Sequence, residues 1–447
     1  MRYIGNTPQQ QREMLRAVGV ESVEDLLTRI PPKARLGRPL NLPAAMPEMD
    51  LLRHLRELAA RNAHADDYVC FLGGGAYDHY IPSPINSLIS RGEFFTAYTP
   101  YQPEASQGTL RTIYEYQTMM AELTGMDVAN ASIYDGASAL AEAAVMAHAV
   151  TERSELVVSR GVNPLSRQVI RTYCEGPGLR IREIPVADGS SDLEALRRTA
   201  TPKTAGVLIQ SPNFFGCLEE IAQAAEIAHA SGALLILSVD PVGLGLLAAP
   251  GGLGADIVVG EGQGLGVPLS YGGPYLGVFA TRRELVRRMP GRLAGATVDA
   301  DDRRGFVLTL QTREQHIRRE KATSNICTNV ALCALMATIY LALMGKQGLR
   351  KVGELSLAKA HYAADALSRV PGVRLKFSAP FFKEFVLQLP TPPDRIVRRL
   401  MKERILAGVP LKPFDRSLKD CLLVAVTEKR TRAEIDAYAH ALSRAVA

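Results

Sequence analysis

The six cysteines of this 447-residue chain form no C-x-x-C pair and no grouping with histidine at zinc-ligand spacing. That excludes a metal-stapled framework and leaves Cys70, Cys174, Cys217, Cys327, Cys333 and Cys421 as reduced, mostly buried thiols. There is no lysine- or arginine-rich block; the net charge of +6 comes mostly from scattered arginine. A nucleic-acid or polybasic membrane site is therefore not expected. No apolar signal-peptide core is present, since "MRYIGNTPQQQREML" turns polar at once. The longest apolar run, 330–344, is too short to span a bilayer and reads as a buried helix. These absences predict a cytoplasmic protein with no nucleic-acid and no membrane partner. Lysine is missing from the middle of the chain: none lies between Lys33 and Lys203, or between Lys203 and Lys321.

What is present begins with helical patterns. In "TPQQQREMLRAVG", Thr7 is placed to cap, Pro8 to start and Gly19 to end a helix. "SVEDLLTRI" reads as a second helix stopped by Pro31-Pro32, and "PEMDLLRHLRELAARN" sets Leu51, Leu52, Leu55 and Leu58 on one face. From Phe71 to Pro103 the chain is irregular, as functional or interface segments often are. Beyond residue 105, apolar strands such as "ELVVSR", "AGVLIQSP", "ALLILSVD", "ADIVVG" and "LGVFAT" are interleaved with helices. Strands without period-two alternation, separated by helices, predict a mostly parallel sheet covered on both faces. The expected organisation is an N-terminal helical and irregular arm (1–104), a large doubly wound α/β domain (105–344) and a small C-terminal α+β domain (345–447).

The stretch "DIVVGEGQGLGVPLSYGGPYLG" is a strand running into a glycine-rich turn, the kind of backbone that passes close to a bound group. About twenty residues earlier "LSVDPVGLG" puts Asp240 at the carboxyl end of a strand. This order of pieces resembles the aspartate-aminotransferase-like enzymes that use pyridoxal 5'-phosphate (fold type I). In those enzymes an aspartate pairs with the pyridine nitrogen and a lysine on the later turn forms the Schiff base. Gln263 stands where that lysine is expected, and a carboxamide is not nucleophilic toward an aldehyde. Lys203 and Lys321 lie in other places: a polar loop, and a segment well past the turn.

Longer stretches narrow the resemblance. "FLGGGAYDHYIPSPI", "TAYTPYQPEASQGTLRTIYEYQTMMAELTG", "VDPVGLGLL", "GEGQGLGVPLSYGGPYLG" and "REKATSNICTN" make the chain similar, over essentially its whole length, to the P-proteins of the glycine cleavage system. The form it resembles is the alpha subunit (subunit 1) of the split decarboxylating glycine dehydrogenases. The chain departs from that family's usual pattern at Asn163, where histidine is common, and at Ala137 and Ser138, in a turn that is commonly more acidic.

The resemblance implies a paired enzyme. Pyridoxal 5'-phosphate would be held covalently by a beta subunit and not by this chain, in an α2β2 assembly. Glycine would be decarboxylated and the aminomethyl group passed to the lipoyl arm of the H-protein. No catalytic residue and no metal site are expected in this chain alone. Tyr98, Thr99, Tyr101, Glu104 and His79 are candidates for the substrate or interface pocket. Thr323, Ser324 and Asn325 are candidates for the partner's cofactor phosphate. Against these stand blander roles: tyrosines packing as an interface patch, Ser324 or Asn325 capping a helix, and His79 as a hydrogen-bonded structural histidine. Asp240 is expected to pair with nearby backbone. Three other readings remain: a purely structural or docking partner of the cofactor-bearing subunit, a free-standing enzyme using Lys203 or Lys321, and an NAD-dependent oxidoreductase. The last rests on the weak fingerprint "GLGLLA", which Pro250-Gly251-Gly252 interrupts.

Overall fold

The structure, a computed structural model, describes residues 5–446, and the chain divides after Ala63 into two compact units. In the first, α1 (Pro8–Val18) opens with a reciprocal capping box between Thr7 and Gln10 and ends at left-handed Gly19. The segment after Ser22 is helical only over Val23–Leu26, shorter than expected. The Thr28 hydroxyl donates to the Asp25 carbonyl there, an acceptor the next turn would have used. α2 (Glu48–Ala59) has the expected leucine face. None of these three helices contains a buried residue.

The second unit is built on a seven-stranded sheet: β1 (Val128–Ala129), β2 (Glu155–Ser159), β3 (Arg180–Ile184), β4 (Thr204–Ser211), β5 (Leu234–Val239), β6 (Ile257–Glu261) and β7 (Gly277–Thr281). The strand order is β1-β7-β6-β5-β4-β2-β3. β7 is antiparallel to both neighbours, and all other pairs are parallel. Side chains alternate between two cores. Val157, Val207, Leu235, Leu237 and Val258 pack with Tyr116 and Met120 of α3 (Gln107–Thr124). Leu156, Val158, Leu208, Ile236 and Val259 pack with Ala139, Leu140 and Ala143 of α4 (Gly136–Thr151). A sheet apolar on both faces requires helices on both, which is the doubly wound α/β architecture read from the strand composition.

The apolar run after Val330 is spent inside the protein. It opens α5 (Ala331–Ser368), which is broken at Gly345, whose φ of 59° and ψ of −177° suit glycine. Cys333, Ala334, Ala337 and Tyr340 of its first half join the core. Its second half covers an antiparallel sheet of Arg374–Leu375, Glu384–Gln388, Cys421–Ala425 and Val409–Pro410, together with α6 (Pro393–Met401) and α7 (Arg432–Val446). Val69–Cys70 pairs in parallel with Ile405–Leu406, and the Phe71 carbonyl accepts from Ala425. This stitching brings the start of the irregular segment, including Tyr77 and His79, against the C-terminal sheet.

Candidate functional site

A cavity of about 390 Å³ lies beyond the carboxyl ends of β4, β5 and β6, where open α/β sheets bind ligands. It is lined by Tyr77, Gly136, Asn163, Asp240, Glu261 and Lys383, among others. The glycine-rich turn forms one wall, and Gln263 is 2% exposed within it. Every polar atom of the Gln263 amide is engaged. Its Oε1 accepts the Tyr77 N–H at 2.8 Å, and its Nε2 donates to the carbonyls of Val267 (2.7 Å) and Tyr77 (3.1 Å). The amide at the position where a lysine is expected therefore clamps the irregular segment to the turn.

Glu261, at the end of β6, reaches the start of α4. Its Oε2 accepts the Gly136 N–H at 2.9 Å, and its Oε1 accepts those of Leu276 (2.9 Å) and Gln263 (3.0 Å). Burial pushes its carboxyl up to about 7 against those bonds. Gly136 permits the approach, because a Cβ there would lie 2.8 Å from the Glu261 nitrogen. The Asp135 carboxylate caps the same helix by accepting the Ser138 N–H at 2.7 Å. A helix N-terminus is a natural phosphate cradle, and here two carboxyl groups of the chain already occupy it.

Asp240 follows β5. Its Oδ1 accepts the Val242 N–H at 3.1 Å, the backbone pairing expected from the sequence. Its Oδ2 lies 2.6 Å from Lys383 Nζ, an ion pair without hydrogen-bond alignment. Lys383, 2% exposed, enters from the C-terminal sheet with its Nζ 3.6 Å from the centre of the Tyr77 ring. Lys383 Nζ also meets His79 Nε2 at 2.8 Å, and His79 Nδ1 meets Glu428 Oε2 at 2.6 Å. An ammonium has only protons to give, so Nε2 accepts, Nδ1 carries the hydrogen and Glu428 receives it. Burial alone would raise the Glu428 carboxyl. The hydrogen bonds from His79 and the Tyr80 N–H outweigh it and hold the group below the usual carboxylate range. The neighbouring Glu384 accepts from the Gly74 N–H and the Tyr77 hydroxyl, both at 2.7 Å, and burial raises it to about 7. His79 is thus the middle of a buried polar chain.

The positions that would serve the aldehyde, pyridine nitrogen and phosphate of pyridoxal phosphate are already taken by groups of this chain: an amide where the Schiff-base amine is expected, a lysine on the aspartate, and carboxyls at the helix start. The residues present do not fit a covalently held cofactor. Lys203 and Lys321 are exposed and do not line the cavity. Gly243–Gly245 and Pro250–Leu253 are 3-10 turns, and neither supplies a helix N-terminus for a pyrophosphate. Asn163 caps the helix Pro164–Glu175 and donates to the Gly74 carbonyl at 2.7 Å.

The remaining predicted residues lie elsewhere. Tyr98 is 81% exposed, Glu104 is exposed and Thr99 is half-buried. Tyr101 is held by Arg292, a buried residue that sequence reasoning missed. Arg292 donates to the Tyr101 hydroxyl (3.2 Å), the Cys327 carbonyl (2.8 Å) and the Thr328 hydroxyl (2.5 Å). It thereby joins the Tyr101 loop to the segment after Asn325. Thr323 and Ser324 are half-buried and Asn325 is exposed; the Ser324 hydroxyl accepts the Ile326 N–H at 3.0 Å. Lys383 and Glu384 were missed as well, and their one signal was a charged pair inside the apolar "FFKEFVLQL".

The sheet order, the turn beyond β6 and the aspartate beyond β5 define a pyridoxal-phosphate-dependent fold type I architecture. Sphingosine-1-phosphate lyase from Burkholderia pseudomallei shares that fold, with a TM-score of 0.66 at 14% identity over 93% of this chain and 94% of that one. The chain matches the family described as glycine cleavage system P-protein over residues 1–442, and it belongs to that family. It is 54% identical over 436 residues to the probable glycine dehydrogenase (decarboxylating) subunit 1 of Desulforamulus reducens, covering 98% of each. A crystal structure of glycine decarboxylase (P-protein) in inhibitor-bound form superimposes with a TM-score of 0.91 at 45% identity, covering 100% of both chains.

Proposed function

We propose that this chain is subunit 1 of a glycine decarboxylase of the glycine cleavage system, and that it works beside a related second subunit carrying pyridoxal phosphate on its own lysine. The pair removes carbon dioxide from glycine and passes the aminomethyl group to the lipoyl arm of the H-protein, in an α2β2 assembly in the cytoplasm. The observation that carries this reading is Gln263, a buried amide with every polar atom engaged. Among the described residues the one amine that lines the cavity, Lys383, is committed to Asp240. Chemistry that needs a cofactor-bearing amine must then be housed in another polypeptide. Support for a partner comes from the first unit, where Met14, Val18, Leu40, Leu42, Met49 and Leu55 are exposed and no helix buries a residue.

Within such a pair this chain's part is to bind and orient. The Tyr101 loop and the 323–328 segment, tied by Arg292, offer hydroxyls and N–H groups toward a neighbour. The test is reconstitution with the second subunit. Tyr101→Phe, Glu104→Gln and Ser324→Ala are each expected to lower glycine decarboxylation at least about tenfold while the assembly elutes unchanged. Full turnover in all three variants would leave only a structural partner.

A further inference from the structure

A second cavity, of about 400 Å³, opens between the turn Arg283–Arg288 and the segment 310–323. Its walls carry Arg287, Arg288, Arg313, Arg318, Thr312 and Thr323, and no carboxylate lines it. Arg313 is buried and used up as scaffold. Its guanidinium donates to the carbonyls of Leu310 and Gly291, both at 3.0 Å, and to that of Met289. Arg287, Arg288 and Arg318 are exposed, and among the described residues none pairs with an acid. Elsewhere this protein neutralises clustered arginines: Arg160, Arg167 and Arg171 converge on Glu183. Like charges facing one concave space repel, and among the described residues no carboxylate lines that space to relieve them.

The backbone around the cavity is held in place at some cost. Leu310 and Arg319 both have a φ of 52°, a positive value unusual for residues other than glycine. The Thr323 N–H donates to the Arg313 carbonyl at 3.4 Å, closing the segment on itself.

We propose that this cavity binds a phosphate-type oxyanion borne by a small molecule. Planar guanidinium forks match phosphate oxygens two at a time, and the two threonine hydroxyls add neutral donors. A dianion satisfies three free guanidiniums better than one carboxylate does. Leu310 is the one apolar residue of the lining, too little to form the dry centre of a protein interface, so a small ester is favoured over an acidic protein surface. Free phosphomonoesters and the phosphate of a cofactor carried by the second subunit share this chemistry. The site does not rest on the decarboxylase reading, because a free ester satisfies it.

The test is calorimetric titration of the full chain with inorganic phosphate, chloride holding the ionic strength constant. One saturable site is expected. Arg287→Ala with Arg288→Ala should weaken it at least about tenfold, and Arg318→Gln about threefold, with unfolding midpoints in chloride unchanged. If phosphate binding to the reconstituted pair disappears only when pyridoxal phosphate is loaded, the site stands and the cofactor supplies the anion. If it persists after loading, the site stands and takes a free ester. Unsaturable binding, or equal affinity in wild type and both variants, overturns the site, as does an acidic peptide binding where phosphate does not.

Discussion

Lys383 Nζ sits 2.6 Å from Asp240 Oδ2, so a lysine of the C-terminal sheet neutralises the aspartate at the end of the central strand β5. Replacing one member strands the other. Lys383→Met should lower unfolding stability by roughly 3 kcal/mol, because an uncompensated carboxylate remains mostly buried. Lys383→Met with Asp240→Asn should recover a good part of that loss. Denaturant unfolding of the three proteins measures the coupling, and additive effects would show that the pair does not interact.

The amide at 263 does not simply wait to be restored to lysine. Gln263→Lys removes one acceptor and two donors from a buried clamp, leaving the Tyr77 N–H without its partner. The variant should be destabilised by roughly 2–4 kcal/mol. With pyridoxal phosphate it should stay colourless, since Lys383 still covers Asp240 and Glu261 still holds the helix start. A yellow adduct, seen in a simple absorbance scan, would contradict this account.

Burial raises Glu384 and Glu261 from 4.5 to about 7. Between about 4.5 and about 7 each is protonated when folded and ionised when unfolded. The folded state then binds more protons, so stability falls as pH climbs through that window and levels off above it. In Glu384→Gln the new amide can accept the Gly74 N–H and donate to the Tyr77 oxygen. The variant should flatten the decline by roughly 1–3 kcal/mol. Unfolding curves at pH 5 to 8 provide the measurement.

The exposed leucines of α2 should matter for association and little for folding. Leu51→Ser with Leu55→Ser removes apolar surface already in water, so the chain alone should unfold within about 0.5 kcal/mol of wild type. Binding to the second subunit should weaken at least about tenfold. Sedimentation of mixtures with the second subunit would reveal it, and equal binding would assign those leucines no part in assembly.

Arg292 ties Tyr101 to Thr328 from a buried position. Arg292→Ala should cost roughly 2–4 kcal/mol through the carbonyl and hydroxyls it leaves unpaired. Arg292→Lys should restore part of this and only one of the contacts. In the reconstituted pair, a lowered kcat with the lysine variant folded would mark the tie as a positioning element.

Much of the fold was legible because its signals are local. Thr7, Pro8 and Gly19 delimit α1 by hydrogen bonds within one turn, and apolar runs such as "ALLILSVD" mark strands covered on both faces. That position 263 carries an amide, which cannot do the work of an amine, was legible too, whatever surrounds it. Tertiary structure alone decided what occupies the cavity. Lys383 lies 143 residues from Asp240 and 304 from His79 in sequence, and neither spacing carries any periodic signal. The three meet because Val69–Cys70 pairs with Ile405–Leu406 and because the C-terminal sheet packs its strand ends toward β5. Covalent capability is a property of residue type, so sequence determined that; charge compensation is a property of distance, and only the folded chain sets distances.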